Sequence, residues 1–467
     1  MRKVRIAILG AGSAGLTALA QVRKHTDEFV IVNHGPYGTT CARVGCMPSK
    51  ALIQAADDYH RRHDFDTLGI LGGEGLSVDI AAVLQRVRDY RDARVNGVLG
   101  ATDQLGERSI AGRARLDGPQ RIVVERADGG DDEVIEAEQV IIATGTRPVV
   151  PAPWRAFAER VITTDDVFEC ATLPRRIAVI GLGVIGVELG QALARFGLDV
   201  VGYEMRESLG SLSDPVVQEA ARQSMGEEFP LHLGRAVELR EGAGGIVVDD
   251  GREAHEFDQV LAAMGRRPNI DGLGLETLGV PLDRRGLPEF DRHTLRVGEL
   301  PVFITGDVNG ELQLLHEASD EGFIAAWNAL HGPTRFRRRV PLAIAFTDPQ
   351  IAVVGQSYAE LAGREDLVVG EFDFSRQARA LAMLKGSGMA RIYAARGTGL
   401  LLGAEMLAPA AEHFAHLLAL AIQREMSVAE LLTLPFYHPT LEEGLRSALR
   451  ALAKDIYGEA PLELATL

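Results

Sequence analysis

Residues 4–15 read VRIAILGAGSAG, and residues 176–186 read RIAVIGLGVIG. In each stretch a short apolar run passes into glycines spaced G-x-G-x-x-G, and a helical pattern follows. Gly10 permits a tight turn, Gly12 lets a pyrophosphate approach the backbone, and Gly15 lets helix pack on strand. The helix N-terminus then faces the phosphates. Gly181, Gly183 and Gly186 repeat the arrangement. A second apolar strand closes each copy, FVIV at 29–32 and DVVGYE at 199–204. Strand, glycine turn, helix and strand make a βαβ unit, so the chain carries one nucleotide-binding plan twice.

Outward from these units the patterns continue in parallel. Residues 80–99 predict a helix. Residues 121–125 and 133–136 flank DGGDD and predict a hairpin ahead of the apolar strand QVIIATG. The second copy likewise ends on a hairpin-like stretch, IVVDDGREAHEFDQVLAAMG. After Pro301, VFITGDVNG predicts a strand and turn, and LLHEASDEGFIAAWNAL an amphipathic helix. The basic run RFRRR marks a linker near 332–340. Beyond it, IAVVG, ARIYAA and LLGAEML predict strands, with helices at 411–424, 428–433 and 441–456. The predicted fold is α/β: two Rossmann-like dinucleotide-binding domains and an α+β C-terminal domain. The boundaries fall at 1–150, 151–271, a return to the first domain at 272–340, and 341–467.

A chain of 467 residues is too long for one core. Its formal charge of −16 argues against general nucleic-acid binding, because no basic surplus offsets phosphate repulsion. No apolar run is long enough to cross a bilayer. The basic, apolar N-terminus imitates a signal peptide, but its spaced glycines make better sense as a turn. A cytoplasmic location is therefore expected, where structural disulfides are rare.

The acidic residue that holds a ribose hydroxyl normally stands about 20 positions past such a glycine turn. Glu204 fills that place in the second unit, and its carboxylate would repel a 2′-phosphate, favouring NAD over NADP. In the first unit the place falls to Asn33, an amide that can still bond a ribose; its plainer reading is a solvated turn residue.

Of three cysteines, Cys41 and Cys46 lie five apart in GTTCARVGCMPSK, residues 38–50. A regular helix rises about 7.5 Å over that interval, beyond what a disulfide tolerates. Closure needs an irregular backbone, which Gly45 and Pro48 could supply. Helix dipoles and Lys50 would lower the thiolate pKa values. A zinc site would need two further ligands, and no second cysteine pair exists. Cys170 stands alone and reads as a small buried hydrophobe. Two nucleotide sites and a redox cysteine pair call for an intermediary between hydride and thiolate chemistry, which places FAD in the first site and NAD in the second.

With these motifs in hand the chain resembles the pyridine-nucleotide disulfide oxidoreductases, nearest the dihydrolipoamide dehydrogenases, across essentially its whole length. ATG at 143–145, TGD at 305–307, QLLHEA at 313–318 and YHPTLEE at 437–443 stand in the family's order. The resemblance implies a homodimer whose C-terminal domain completes the partner's site. It implies Cys46 as the thiol against the flavin and Cys41 as the thiol that meets substrate. His438 becomes the acid–base group, oriented by Glu443, and Lys50 and Glu188 pair near the flavin. Around FAD it places Asp307 on the ribityl chain, Thr40 and Ala114 at the phosphates and adenine, and Thr144, Gly145, Gln313, Leu314, Leu315 and His316 nearby. Val237 and Gly265 would line the NAD site. Chemistry supports the roles: imidazole can take and return a thiol proton near neutrality, and a carboxylate on its other nitrogen fixes the tautomer. A histidine before proline is otherwise a turn residue, and a lone lysine a solvated one.

Three departures stand out: GTT in place of GGT before Cys41, Asn33 in place of an acid, and Asp348 before Pro349. The expected reaction is oxidation of dihydrolipoamide with NAD as acceptor, for which a lipoyl-bearing protein or free dihydrolipoamide would be the substrate. Rivals on the same scaffold are reductases of another disulfide or of mercuric ion, and a flavin redox sensor of low turnover. Gly186 and Glu204 argue against the glutathione-type enzymes, and the absence of cysteine after Cys170 against the mercuric ones.

Overall fold

A computed structural model gives the structure of the protein and describes residues 1–459; the last eight residues of the expected C-terminal domain, 460–467, lie outside the described residues. The chain forms two compact units. The first comprises residues 1–49, 85–149 and 265–338; the second comprises 50–84, 150–264 and the chain from 339 onward.

In the first unit, Ser109–Leu116, Phe29–Asn33, Arg2–Leu9, Glu133–Ile142 and Val302–Ile304 lie side by side in parallel. Strands covered on both faces read as unbroken apolar runs, because alternate residues enter different cores. Ile6, Ile8, Phe29, Ile31 and Ile141 join one core with Leu19 and Ile324. Ala7, Leu9, Val30, Val32, Val140 and Ile142 join the other. Helices Ser13–Val22 and Leu315–His331 contribute to the first of these. The apolar N-terminus is therefore a central strand.

One prediction needs correction here. Residues 133–136 are not a separate hairpin strand but the start of Glu133–Ile142. Its first residues pair antiparallel with Arg121–Arg126, and the strand then continues parallel to Arg2–Leu9.

The second unit repeats the plan. Leu231–Leu233, Asp199–Glu204, Arg176–Ile180, Gln259–Ala262 and Val161–Thr163 form a parallel sheet, accompanied by an antiparallel meander of Glu238–Glu241, Ile246–Asp249 and Ala254–Phe257. Its C-terminal part is an antiparallel sheet, Leu342–Ala345, Gln350–Gly355, Leu401–Ala408, Met389–Ala395 and Leu367–Asp373. Helices Ala411–Gln423, Val428–Leu432 and Glu443–Tyr457 bury Phe414, Leu418, Leu431, Leu445, Leu449 and Leu452 in the same core. Together these elements give the expected α/β class with an α+β C-terminal part.

The stretch 332–340 is more than a linker. Arg338 pairs with Glu317 at 2.6 Å and Glu321 at 2.8 Å, with all three side chains largely buried. Among the described residues, no helix is long and apolar enough to cross a membrane.

Candidate active site

The glycine turns explain themselves residue by residue. A Cβ on Gly10, whose φ is +113°, would sit 2.2 Å from the carbonyl oxygen of Ala143, and one on Gly15 would sit 1.9 Å from that of Gly10. Both glycines are demanded by packing. A Cβ on Gly12 would meet nothing within 4 Å. No protein neighbour accounts for that glycine, and a ligand drawn close to the backbone would. Gly12 caps helix Ser13–Val22 with no side-chain acceptor, so the first-turn N–H groups remain for an anion. In the second unit Gly181 and Gly186 are likewise demanded, by Ala263 and by Gly181 itself, while Gly183 faces open space and caps Val184–Arg195.

Asn33 and Glu204 occupy equivalent places. Asn33 Oδ1 accepts from the Ala11 N–H at 3.0 Å, and its Nδ2 donates to Gly35 O at 3.2 Å. Glu204 accepts from Leu182 N at 2.8 Å and from Arg206 N at 3.0 Å. Each side chain fastens its glycine turn to the end of the neighbouring strand. The amide keeps the bond into the turn but not the charge.

At the C-terminal ends of the first sheet stand ATG and TGD, where parallel sheets receive ligands. Thr144 Oγ1 is buried with no hydrogen-bond partner, an orphan that a bound group would satisfy. Asn269 Nδ2 donates to Thr144 O at 3.0 Å, and Gly145 takes a φ of +68°. Gly265, after Gln259–Ala262, repeats that conformation at +92°. Asp307 accepts from Thr146 Oγ1 at 3.2 Å, and burial raises its pKa against that bond. Glu321 holds the turn from behind, accepting from Gly306 N and Asn309 Nδ2, each at 2.7 Å. Glu321, Asn309 and Arg338 were not anticipated. Their signal was present: Glu321 falls on the apolar face of a helix, and a buried acid there calls for a cation such as one in RFRRR.

Other expected cofactor residues take plainer places. Ala114 lies within Ser109–Leu116, packed against the core. Thr40 opens helix Thr40–Val44. Gln313 and Leu314 lead into Leu315–His331, which begins with Leu315 and His316, and Val237 packs against the second unit's core. The open glycine cradles, the orphaned threonine and the Asp307 turn together fit FAD in the first unit, and the second cradle with Glu204 fits a pyridine nucleotide.

Cys41 is the second residue of helix Thr40–Val44, and Cys46 the first of Cys46–His60. Gly45 breaks the two apart with φ −121° and ψ −122°. The irregular residue between the two helices is thus Gly45. Pro48 lies in the first turn of the second helix, where proline is tolerated, and does not contribute. Cys46 is exposed at a helix N-terminus, which favours a thiolate, while Cys41 is half-buried. Cys170 is also half-buried, with Sγ 3.7 Å from Asp166 O, and is not the fully buried filler expected.

Lys50, four residues beyond Cys46 on the same helix, gives its Nζ to both oxygens of Glu188 at 2.9 and 2.8 Å. Glu188 is buried and also accepts from Phe346 N at 2.8 Å, while Nζ lies 4.6 Å from the Phe346 ring centre. Its charge is thereby paired and hydrogen-bonded. His438 directs Nδ1 at both oxygens of Glu443, at 3.1 and 3.0 Å, and its exposed ring leaves Nε2 outward. The bond from His438 holds the Glu443 carboxyl below the usual range. Asp348 bonds Lys385 at 3.0 Å, so this departure has a partner. The structure therefore brings together Lys50 with Glu188, His438 with Glu443, and Asp307 with Thr146. The cysteines belong to the first unit and the His438–Glu443 pair to the second.

A family model described as pyridine nucleotide-disulphide oxidoreductase matches residues 4–322, and one for the dimerisation domain of that family matches 341–449. A dihydrolipoyl dehydrogenase of Haloferax volcanii is 32% identical over 97% of this chain and 96% of its own. A mercuric reductase of Acidithiobacillus ferrooxidans is 30% identical over 97% of this chain and 84% of its own. Among solved structures, LpdA from Mycobacterium tuberculosis has a TM-score of 0.84 at 26% identity, covering 96% of this chain and 99% of that one. The HOCl-induced flavoprotein disulfide reductase RclA from Escherichia coli has a TM-score of 0.81 at 21% identity with the same coverage, a likeness of fold.

Proposed function

The chain belongs to the pyridine nucleotide-disulphide oxidoreductase family, and on that premise we propose that it oxidises dihydrolipoyl groups to the cyclic disulfide with NAD as acceptor. The observation that carries the reading is the cysteine pair split by Gly45, combined with a histidine whose Nδ1 is held by Glu443. Dihydrolipoyl dehydrogenases recur among its relatives at about full length. Glu204 at the second glycine turn supports NAD, since a carboxylate there opposes a 2′-phosphate.

By ligand the chain divides into residues 1–150 and 272–340 around FAD, 151–271 around NAD and 341–467 between two copies. That division cuts across the two compact units, where 50–84 falls with the second and 265–271 with the first. The dimerisation segment supports a homodimer, in which His438 of a second copy serves the cysteines of the first. In the reaction, His438 Nε2 takes a proton from one dihydrolipoyl thiol. The thiolate attacks Cys41 Sγ of the Cys41–Cys46 disulfide, forming a mixed disulfide and releasing Cys46 as thiolate. The second lipoyl thiol, deprotonated in turn, attacks its own mixed-disulfide sulfur, closes the ring and expels Cys41. The N-terminus of helix Cys46–His60 stabilises the Cys46 thiolate. FAD, when bound, supplies the path by which the two electrons leave the dithiol for the pyridine nucleotide.

Cys46→Ser should bind FAD with an unchanged visible spectrum in the oxidised state and lose turnover with dihydrolipoamide. Dihydrolipoamide turnover retained in that variant would contradict the scheme. A mercuric reductase reading has the relative from Acidithiobacillus ferrooxidans in its favour, against the several dihydrolipoyl dehydrogenases that support the lipoyl one.

A further inference from the structure

Away from these residues, one polar cluster in the second unit has no part in the reaction. His232, at the centre of Leu231–Leu233, pairs in register with Tyr203, and their rings lie 4.8 Å apart. His255 and Phe257 project from one side of Ala254–Phe257; the His255 ring lies 5.8 Å from His232, and Phe257 lies 6.2 Å from Tyr203. Glu253 precedes that strand. One donor atom from each of His232, His255 and Glu253 lies within 4.8 Å of the others.

Behind them stands Asp250, whose side chain is fully buried. Its Oδ2 meets His232 Nδ1 at 2.9 Å and Arg235 Nη1 at 2.8 Å, and its Oδ1 accepts from the N–H groups of Arg252 and Glu253. An ionised carboxylate on Nδ1 keeps the proton there and leaves Nε2 as a lone-pair donor. This is the outer-shell arrangement that orients a metal-ligating imidazole. A plain surface contact between His255 and Glu253, 3.1 Å apart, needs no such buried support.

We propose that His232, His255 and Glu253 bind one divalent first-row transition ion of the zinc, nickel and copper class, with Asp250 as the orienting partner. Two imidazoles and a carboxylate suit borderline ions rather than calcium or magnesium. A tetrahedral ion spaces its donors about 3.3 Å apart at metal–ligand distances of about 2.0–2.1 Å. The cluster must therefore contract slightly, and His255 and Glu253, both exposed, are free to rotate inward. Bound there, the ion clips the strand Leu231–Leu233 to the end of the meander, and stabilises the folded form by mass action.

The test is calorimetric titration of zinc chloride into the FAD-loaded protein with its thiols alkylated, followed by copper(II) paramagnetic resonance on the same material. Wild type should take up one ion per chain at these residues and show coupling to two nitrogens. His255→Ala should weaken the binding by at least about ten-fold and leave one coupled nitrogen. Glu253→Gln should weaken it as well, with both variants melting like wild type in the presence of a chelator. No saturable uptake by wild type, or equal affinity in wild type and both variants, would overturn the assignment.

Discussion

At Thr39 the chain holds a threonine with φ +59° and ψ 149°, a backbone region otherwise almost reserved for glycine. That conformation costs about 1–3 kcal/mol for a residue with a Cβ. Thr39 offsets part of it by capping the helix that carries Cys41, its Oγ1 accepting from Ala42 N at 3.2 Å. Glycine caps a helix nearly as well, within a few tenths of a kcal/mol. Thr39→Gly should therefore raise stability by about 1 kcal/mol, after the added freedom of the unfolded chain is subtracted. Thermal unfolding checks this, and a lower midpoint would contradict it. His438 needs Glu443 for its tautomer, so Glu443→Ala should lower kcat by at least about 10²-fold with little change in NAD binding. The same pair sets a pH dependence. The Glu443 carboxyl is held below its ordinary value, so the stability it contributes is complete above its unfolded pKa. It is lost as pH falls through the lower folded value. The wild-type midpoint should be level near neutrality and approach that of Glu443→Ala in acid.

Among the elements, helix Val184–Arg195 carries two burdens: its N-terminus faces a nucleotide cradle, and its C-terminal Arg195 anchors the second unit. Arg195, only 4% exposed, pairs with Asp57 at 2.6 Å and with Glu228, and donates to Asp348 O at 2.9 Å. Removing one member of a buried charge network leaves the others unpaired, at a cost of about 3–5 kcal/mol. Arg195→Met should show that loss as a lower urea midpoint; a change under about 1 kcal/mol would mean that water replaces the guanidinium. The βαβ units were legible in the sequence because strands buried on both faces spell unbroken apolar runs beside their glycine turns. Strand Leu367–Asp373 was not, because Gly370 interrupts its pattern. The glycine's reason is tertiary: a Cβ there would stand 2.3 Å from Ala448 O of helix Glu443–Tyr457. Strand Leu342–Ala345 is short and apolar, with no alternation to mark it. Glu321 escaped notice although it falls on the apolar face of helix Leu315–His331, because the sequence does not show the Gly306 turn that it supports. The cysteines were legible as a motif, while the roles of Lys50 and His438 came with the family resemblance, since a lone lysine reads as solvated and a histidine before proline as a turn residue. Their partners Glu188 and Glu443, distant or five residues on, were supplied by family resemblance, since spacing alone does not pair them.

The molecule carries one nucleotide-binding plan twice beside the antiparallel C-terminal sheet, and the differences between the copies support the proposed division of work. Both copies keep an open central glycine, at Gly12 and Gly183. Only the first sheet carries the Asp307 turn and leads on to the cysteines. Only the second fastens its turn with a carboxylate, Glu204, where the first uses the neutral Asn33. The reaction proposed here follows from that asymmetry: dithiol chemistry on the first unit, and a nucleotide without a 2′-phosphate on the second. The most direct measurement is the rate of NADH formation by the purified FAD-loaded protein supplied with dihydrolipoamide and NAD. NADP should replace NAD, and reduced glutathione should replace dihydrolipoamide, in parallel controls. Rapid NADH formation, with NADP poor and glutathione inert, is the predicted result. No turnover with dihydrolipoamide, from protein that binds FAD and reduces and reoxidises the Cys41–Cys46 pair, would contradict the proposed substrate.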